Sequence, residues 1–342
     1  MSSAFEELLT GWDGEQVAVR YDAELATWMF IGVHSTVGGR AGGGTRMRVY
    51  ERPEDALADV LKLSSAMTRK FAACDVPRGG GKAVLSVPAL PEGEARRELL
   101  HRFGDFVTSL GGLYSCAPDM NTSERDMDVI AERCPYVFCR TVESGGSGST
   151  SPATARGVFY GIEASAQYAL EVRDLQGVRV LVQGAGSVGG LLAQYLAEAG
   201  AEVLVCDVDR DRVTVGEYVA PEDAVATECD VFAPCAVGGI VNAATVDAFC
   251  CRVIAGAANN QLADPSMAER LHERGILYAP DYVINSGGVL HGAGLESLGW
   301  SEAQVEERLR GLGTLLKELY AQDGSPVAAA DRLVQARLTQ YG

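Results

Sequence analysis

The sequence predicts an α/β protein of two domains separated by a cleft, the second built on a doubly wound parallel sheet. Its 342 residues suffice for two domains of ordinary size. The stretch Glu143–Ser151, rich in glycine and serine, is the best candidate for a hinge. Beyond it, strand-like and helix-like segments alternate, as in parallel sheets. We expect domains over residues 1–145 and 146–325, and a C-terminal helix over 326–342 that packs back on the first domain.

Composition and charge restrict the possible functions. The chain is 47% hydrophobic and 22% charged, which is typical of a soluble globular protein. It has no apolar run of about 18 residues and no basic and apolar N-terminal signal, so we expect a cytoplasmic protein without membrane contacts. The net charge of −17 argues against binding to nucleic acid. The nine cysteines form no CxxC or zinc-type pattern, so we expect reduced thiols and no metal.

In the first half, the elements surround a glycine cluster. A helix-like segment is followed by two strand-like runs, at Ala4–Leu9, Gln16–Tyr21 and Ala26–His34. Gly38–Gly44 has the composition of a turn. Apolar residues at helical spacing predict helices from Pro53 to about Lys70 and from Glu94 to Leu110.

In the second half, five strands are expected with helices between them. The strands are predicted at Val178–Gln183, Glu202–Asp207, Val231–Ala233, Arg252–Ala255 and Ile276–Ala279. The most clearly patterned helices are expected at Thr154–Leu170, at Gly189–Ala199 and from Ser301 to Leu338. This alternation predicts a parallel, doubly wound sheet.

The segment Gly184-Ala185-Gly186-Ser187-Val188-Gly189 predicts a dinucleotide site, because it follows a strand and opens a helix. The three glycines allow a tight turn, close approach of a pyrophosphate, and close helix–strand packing, respectively. Asp207 ends the next strand, 21 residues past Gly186, where a carboxylate binds ribose hydroxyls and repels a 2′-phosphate. We therefore expect NAD rather than NADP, a preference that Arg210 and Arg212 nearby weaken.

Two lysines and one aspartate are candidates for acid–base chemistry. Only four of the 29 basic residues are lysines, and Lys70 and Lys82 flank a glycine cluster. Lysine, unlike arginine, can lose its proton when desolvated and act as a base. Lys82 follows three glycines, and Asp119 lies in the short loop Ala117–Thr122. A buried amine and carboxylate can exchange protons near neutral pH, but on spacing alone a structural ion pair explains these residues equally well.

Seven motifs then occur in a characteristic order: Gly43-Gly44-Thr45-Arg46-Met47, Ala66-Met67-Thr68-x-Lys70, Gly79-Gly80-Gly81-Lys82, Pro118-Asp119-Met120-Asn121-Thr122, Phe232–Ala236, Gly256–Asn260 and Tyr278–Asp281. In these motifs the chain resembles the glutamate/leucine/phenylalanine/valine dehydrogenases, from roughly Ala26 to Trp300. The resemblance implies a substrate-binding, oligomerising first domain and a Rossmann-type NAD domain. It also implies a homo-oligomer that oxidatively deaminates an L-amino acid to a 2-oxo acid and ammonia.

Carried over by position, the resemblance implies roles for single residues. Lys70 would grip the substrate α-carboxylate, Lys82 would activate water as general base, and Asp119 would exchange protons with the amine. Asn259 would bridge nicotinamide and substrate, and Thr154 would lie near the reacting carbon. Further substrate contacts would be Gly42, Gly43, Met67 and Pro118, and further cofactor contacts Gly184, Gly186, Ser187, Val188, Gly189, Asp207, Cys235 and Ala236. Arg69 and Arg78 depart from the family pattern and would alter the charge of the site.

The implied reaction has three steps. Hydride leaves the α-carbon for NAD, water activated by Lys82 attacks the resulting iminium, and Asp119 relays protons as the 2-oxo acid and ammonia form. Lys70 and Asn259 would hold the iminium. Closure of the domains about Glu143–Ser151 would exclude bulk water.

Position 42 guides the expected substrate. In the family that the chain resembles, glutamate-type members have a lysine at this position, leucine-type members a leucine, and phenylalanine-type members a small residue. Gly42 would leave a glutamate side chain without a partner, at a cost of several kcal/mol, and leaves the most space. Asp75-Val76-Pro77 and Ser144–Gly148 also look closest to the phenylalanine branch. We therefore expect an aromatic substrate, phenylalanine before tryptophan, with a leucine/valine dehydrogenase as the alternative.

Two other classes of protein share part of these features. A hydroxy-acid or malic-enzyme-like dehydrogenase would have the dinucleotide motif without the Lys70 and Lys82 pair. A non-catalytic NAD-binding regulatory protein would have no need of Lys82 and Asp119. NADH formation with L-amino and L-hydroxy acids would distinguish the three classes.

Overall fold

The structure, a computed structural model, describes residues 4–341 and forms two compact units. The first contains the described residues up to Ser149, Leu295–Gly299, and the chain end from Ala336. The second contains Thr150–Gly294 and Trp300–Gln335. The sequence analysis placed the boundaries after residues 145 and 325 and gave no sign of the short segment that returns to the first unit. Residues 1–3, part of the stretch used to predict the absence of a secretory signal, lie outside the described residues.

A five-stranded mixed sheet forms the centre of the first unit. Its strand order is β1-β2-β4-β3-β5, with β2 antiparallel to β1 and β4, and β3 parallel to β4 and β5. The strands are β1 Gln16–Asp22, β2 Thr27–Val33, β3 Ala41–Arg48, β4 Gly79–Ser86 and β5 Tyr114–Pro118.

Helices cover both faces of this sheet. They are α1 Ala4–Thr10, α2 Pro53–Ala73, α3 Gly93–Ser109 and α4 Glu124–Ala131. Buried Met29 and Ile31 belong to the core under α3 and α4, whereas Phe30 between them packs with the apolar residues of α2. This alternation follows from the two-residue repeat of a strand, which directs successive side chains to opposite faces.

The glycine run at residues 38–44 is only partly the predicted turn. Gly38 and Gly39 do turn, with φ of 72° and 97°. The prediction is wrong for the later glycines, which lie within β3. A Cβ atom at Gly43 would lie 1.8 Å from the carbonyl oxygen of Gly81 on β4. The neighbouring backbone therefore requires glycine in a strand whose composition otherwise indicates a turn.

A six-stranded parallel sheet forms the second unit and confirms the predicted doubly wound fold. Its order is β11-β10-β9-β6-β7-β8. The strands are β6 Arg179–Gln183, β7 Glu202–Cys206, β8 Glu217–Val219, β9 Val231–Pro234, β10 Val253–Ile254 and β11 Leu277–Tyr278. The direction of winding reverses between β6 and β9, and ligands of such sheets bind at the carboxyl ends of the strands flanking this point.

The remaining α-helices lie between residue 151 and the end of the described chain. They are α5 Ser151–Leu170, α6 Ser187–Glu198, α7 Ser266–Glu273, α8 Asp281–Ile284, α9 Gly287–Glu296, α10 Glu302–Tyr320 and α11 Pro326–Tyr341. The expected helix between every pair of strands is wrong in two places: within the described chain no α-helix separates β7 from β9 or β9 from β10. Gly238 and Gly239 interrupt helical spacing in the second of these. Across residues 4–341 no helix combines the length and apolarity needed to span a membrane.

Candidate active site

β4 and the end of β5 bring Lys82 and Asp119 together. Nζ of Lys82 lies 2.7 Å from Oδ1 of Asp119. Gly44, on β3 between them, makes this possible. A Cβ atom at Gly44 would lie 2.8 Å from Cβ of Asp119 and 3.1 Å from Nζ of Lys82. A side chain at this position would therefore displace the pair.

Burial and mutual attraction act in opposite directions on this ion pair. Lys82 is only 4% exposed. Its burial lowers the pKa of the amine, and this effect outweighs the neighbouring Asp119, which raises it. Burial alone would raise the pKa of Asp119, but Lys82 and Arg46 lower it well below its usual range. The arrangement thus combines an ionised carboxylate with an amine that releases its proton more readily than an exposed lysine.

Arg46 extends the pair into a network that the sequence analysis did not include among the site residues. Its Nε donates to Oδ2 of Asp119 at 2.9 Å, and its Nη1 donates to Oδ2 of Asp59 at 2.9 Å. Tyr50 Oη donates to the same Asp59 oxygen at 2.6 Å. Arg46 therefore orients the Asp119 carboxylate so that the other oxygen contacts Lys82. The position of Arg46 in the motif Gly43–Met47 is the sequence feature that could have identified it as a site residue.

Thr122 and Asn121 fix the loop that carries Asp119. The backbone N–H of Asp119 donates to Thr122 Oγ1 at 2.9 Å, and that hydroxyl donates to the carbonyl oxygen of Thr45 at 2.7 Å. Asn121 has φ of 58° and donates from Nδ2 to the carbonyl oxygen of Met47 at 3.0 Å. Pro118 is the last residue of β5. These contacts give a structural reason for the sequence Pro118–Thr122.

The last turns of α2 carry Met67 and Lys70. Cγ of Met67 would lie 3.4 Å from a Cβ atom at Gly43, so this part of the helix faces β3. Residues three apart share a helix face, which directs half-buried Lys70 toward the same side. The end of α2 is fastened by the chain terminus, since Arg337 Nη1 donates to the carbonyl oxygen of Ala72 at 3.0 Å.

The space beside Gly42 is filled by Arg78. A Cβ atom at Gly42 would lie 2.6 Å from Nε of Arg78. In this structure the flexible side chain of the arginine before β4 occupies that space, and the expectation that Gly42 admits a large substrate side chain stays a prediction. Arg78 also lies over the ring of Phe138, with Cζ 4.7 Å from the centroid, and donates from Nη1 to Ser297 Oγ at 3.2 Å.

In the second unit, the three fingerprint glycines have different surroundings. Gly184, directly after β6, has φ of 106°, and a Cβ atom there would lie 2.6 Å from Cβ of Ala236. A Cβ atom at Gly189 would lie 1.9 Å from the carbonyl oxygen of Gly184, so only glycine allows the helix to pack this closely against the loop. A Cβ atom at Gly186 would meet nothing within 4 Å. α6 begins at Ser187, so its first N–H groups border this open space, which fits a pyrophosphate.

Asp207 lies against the fingerprint loop. It directly follows β7, and its Oδ2 accepts the backbone N–H of Ala185 at 2.7 Å. Its Oδ1 accepts the backbone N–H of Asp209 at 2.9 Å. Val208 beside it is 92% exposed, an unusual position for an apolar residue. The carboxylate is thus fixed next to an exposed apolar surface, an arrangement that fits the adenosine end of a dinucleotide.

The structure places the other predicted residues of this unit in two groups. Cys235 and Ala236 follow β9 at the point of reversal, where the backbone N–H of Cys235 donates to the carbonyl oxygen of Gln183 at 2.7 Å. Asn259 Oδ1 accepts from Nδ2 of Asn285 at 2.9 Å. Thr154 Oγ1 would lie 2.9 Å from a Cβ atom at Gly288. Asn259 is therefore bonded to the segment 285–288 and Thr154 lies beside it, and Asn285 is a residue the prediction did not assign.

Comparisons with known proteins identify the family of the chain. The sequence model of the Glu/Leu/Phe/Val dehydrogenase dimerisation domain matches residues 17–136, and that of Glutamate/Leucine/Phenylalanine/Valine dehydrogenase matches residues 145–213 and 205–325. The chain is 40% identical over 337 residues to leucine dehydrogenase from Geobacillus stearothermophilus, covering 96% of this chain and 91% of that protein. It is 40% identical over 338 residues to valine dehydrogenase from Streptomyces virginiae, covering 95% and 94%.

Among solved structures, L-tryptophan dehydrogenase from Nostoc punctiforme matches with a TM-score of 0.79 and 33% identity over 98% of each chain. These matches confirm the predicted family, fold class and NAD cofactor, and none of them singles out the phenylalanine branch. The chain belongs to the glutamate/leucine/phenylalanine/valine dehydrogenase family and is an NAD-dependent amino acid dehydrogenase, an oxidoreductase acting on CH–NH2 donors.

Proposed function

We propose that the protein catalyses the reversible, NAD-dependent oxidative deamination of an L-amino acid to a 2-oxo acid and ammonia. The observation that carries this proposal is the buried contact of 2.7 Å between Lys82 Nζ and Asp119 Oδ1. A purely structural ion pair would gain little from such burial, because desolvation offsets the attraction. A pair that exchanges protons gains a base active near neutral pH.

In this proposal each residue has one task. Lys70 binds the α-carboxylate of the substrate, and Lys82 removes a proton from the water that attacks the iminium carbon. Asp119, oriented by Arg46, exchanges protons with the amino group as ammonia leaves. The Gly184–Gly189 loop and Asp207 would hold NAD, which would supply a hydride acceptor for the α-carbon. The roles expected for Asn259 and Thr154 stay predictions.

The class of side chain is a separate question. Two relatives are a leucine and a valine dehydrogenase by name, which supports an aliphatic substrate over phenylalanine. The Arg78 side chain beside Gly42 also leaves less room for a ring than the sequence alone suggests. Among hydrophobic substrates, the leucine/valine alternative is therefore better supported.

The reaction is tested by NADH formation at alkaline pH with panels of L-amino acids and the matching L-hydroxy acids. We expect NADH with L-amino acids only, and reductive amination of the corresponding 2-oxo acids with ammonia. Lys82→Ala serves as the inactive control. NADH formation from hydroxy acids alone, or from neither panel, would overturn the proposal.

We further propose a cytoplasmic homo-oligomer assembled through the first unit. The model that matches residues 17–136 describes a dimerisation domain. Size-exclusion chromatography with light scattering tests this, and a single monomeric mass at micromolar concentration would contradict it.

A further inference from the structure

A pair of cysteines lies in the second unit, at the amino ends of two neighbouring strands. Cys229 comes two residues before β9, and Cys251 comes two residues before β10. The expected cofactor contacts Cys235 and Ala236 follow the carboxyl end of β9 instead. The six residues from Cys229 to Cys235 span up to about 20 Å of extended chain. The pair is therefore outside the site described above.

The pairing of β9 with β10 places the two cysteines side by side. The strands are parallel, with Val231 opposite Val253. Extending this register by two residues pairs Cys229 with Cys251. The backbone N–H of Cys229 donates to the carbonyl oxygen of Cys250 at 3.1 Å, which is the bond that a parallel ladder makes at such a pair. Neighbouring strands lie about 4.8 Å apart, within the range of about 4.4–6.8 Å between the Cα atoms of disulfide-bonded residues.

The two thiols contact each other and differ in acidity. A side-chain hydrogen bond joins them; it lowers the pKa of Cys229, although burial opposes this, and raises the pKa of Cys251. In contrast, burial raises the pKa of Cys74 and Cys235 to about 12. Cys229 and Cys251 are both partly exposed, so a small reagent can reach them. Cys229 thus forms the reactive thiolate more readily than the fully buried cysteines.

A third cysteine is adjacent in the sequence but is directed elsewhere. Cys250 is exposed, and its Sγ donates to the carbonyl oxygen of Ala248 at 3.5 Å. Successive side chains of an extended chain project to opposite faces, so Cys250 and Cys251 do not share a face. The backbone geometry therefore favours the pair of Cys229 with Cys251, and Cys250 provides a matched control.

We propose that Cys229 and Cys251 are a redox-active dithiol, which a hydroperoxide converts reversibly into a disulfide. The Cys229 thiolate attacks one peroxide oxygen and the O–O bond breaks. A sulfenic acid forms, and the other oxygen leaves as an alcohol or water with the proton of the Cys229 thiol. The sulfur of Cys251 then attacks the sulfenic sulfur, whose oxygen leaves as water with the proton of the Cys251 thiol. Each sulfur loses one electron and the peroxide gains two, and a thiol reductant reverses the change.

The disulfide closes a ring around the connection from β9 to β10. Between Pro234 and Val253 the described chain forms no α-helix, and this connection carries Cys235 and Ala236. Joining the ends of the connection restricts the unfolded chain. The oxidised protein should therefore melt at a temperature higher by about 4 °C or more than the reduced protein.

Peptide mapping without reductant tests the pairing. Fully reduced protein is treated with a small excess of hydrogen peroxide, alkylated, and cleaved with a protease that cuts before aspartate. Cuts before Asp230 and Asp247 separate Cys229 from Cys251. We expect the two peptides to be joined in the wild type and in Cys250→Ser, to be separate in Cys251→Ser, and to be released by dithiothreitol.

Trapping of the intermediate tests the order of attack. In Cys251→Ser the sulfenic acid on Cys229 has no thiol to resolve it, so dimedone should label Cys229 in this variant far more than in the wild type. The rise in melting temperature should likewise be absent from Cys251→Ser. Loss of the joined peptides in Cys250→Ser, or oxidation confined to Cys250 while Cys229 and Cys251 are alkylated as free thiols, overturns the inference. None of these readouts depends on the proposed deamination.

Discussion

Replacing Asp119 by asparagine would test how the buried pair sets the basicity of Lys82. The change removes the charge that lies 2.7 Å from Nζ while nearly keeping the shape of the side chain. Burial lowers the pKa of Lys82, and Asp119 is the main opposing influence. A charge this close typically shifts a pKa by about 1–3 units. Since Asp119 favours the protonated amine, its loss should lower the pKa of Lys82 further.

The pH dependence of the rate should follow. If Lys82 must be unprotonated to activate water, activity is lost as the pH falls through its pKa. The acidic limb of the kcat/KM profile should then move to lower pH by about one unit or more in Asp119→Asn. At the plateau, kcat should fall by about 10²–10⁴-fold, since no carboxylate remains to exchange protons.

The assay is NADH formation across the pH range with the best L-amino acid. Asp59→Asn is the graded control: Asp59 bonds to Arg46 rather than to Lys82, so the limb should move in the same direction by less. An acidic limb that stays in place in Asp119→Asn, with a plateau kcat within about tenfold of wild type, would refute both the titrating role of Lys82 and the proton-exchanging role of Asp119.

Three further predictions concern the base, the cofactor and the packing of the sheet. Lys82→Ala should abolish turnover but leave NADH binding by fluorescence intact, and Lys82→Arg should be nearly as damaging because a guanidinium stays protonated; retention of more than about a tenth of kcat in either would contradict the general base. Asp207→Ser should weaken NAD binding and narrow the preference over NADP, measured as KM for each cofactor, and an unchanged preference would contradict the ribose contact. Gly80→Ala would place Cβ 2.0 Å from the backbone nitrogen of Thr68. It should reduce the free energy of unfolding by about 1–3 kcal/mol in denaturant titration, whereas Gly311→Ala, which meets nothing within 4 Å, should not reduce it.

The sequence could predict those elements whose local pattern is sufficient. The apolar run Val178–Gln183 and the glycines after it predicted β6 and the start of α6 closely. β8 spans only Glu217–Val219, which is too short for a two-residue repeat to be recognised. β3 was not predicted as a strand, because its composition indicates a turn. Its glycines are required by the backbone of the neighbouring strand, and that contact cannot be seen in the sequence of β3 alone.

The same distinction applies to the site. Lys82 and Asp119 could be proposed because each belongs to a motif with its own chemistry. Arg46 lies in a motif too, but its contact with Asp119 depends on how β3 pairs with β5. The position of Arg78 depends on the direction taken by a long side chain, which its sequence neighbours do not dictate. The sequence therefore indicated empty space beside Gly42, because it could not show that the Arg78 side chain lies there.

The glycine strands also constrain how this enzyme can evolve. A side chain at Gly79, Gly80 or Gly43 would collide with backbone atoms at 1.8–2.0 Å, so few mutations there can survive selection for folding. At Gly42 the nearest atom belongs to a flexible arginine side chain, which can move aside. Natural variation in this sheet should therefore be found at position 42 more often than at positions 43, 79 and 80, because a new side chain there requires no shift of the backbone.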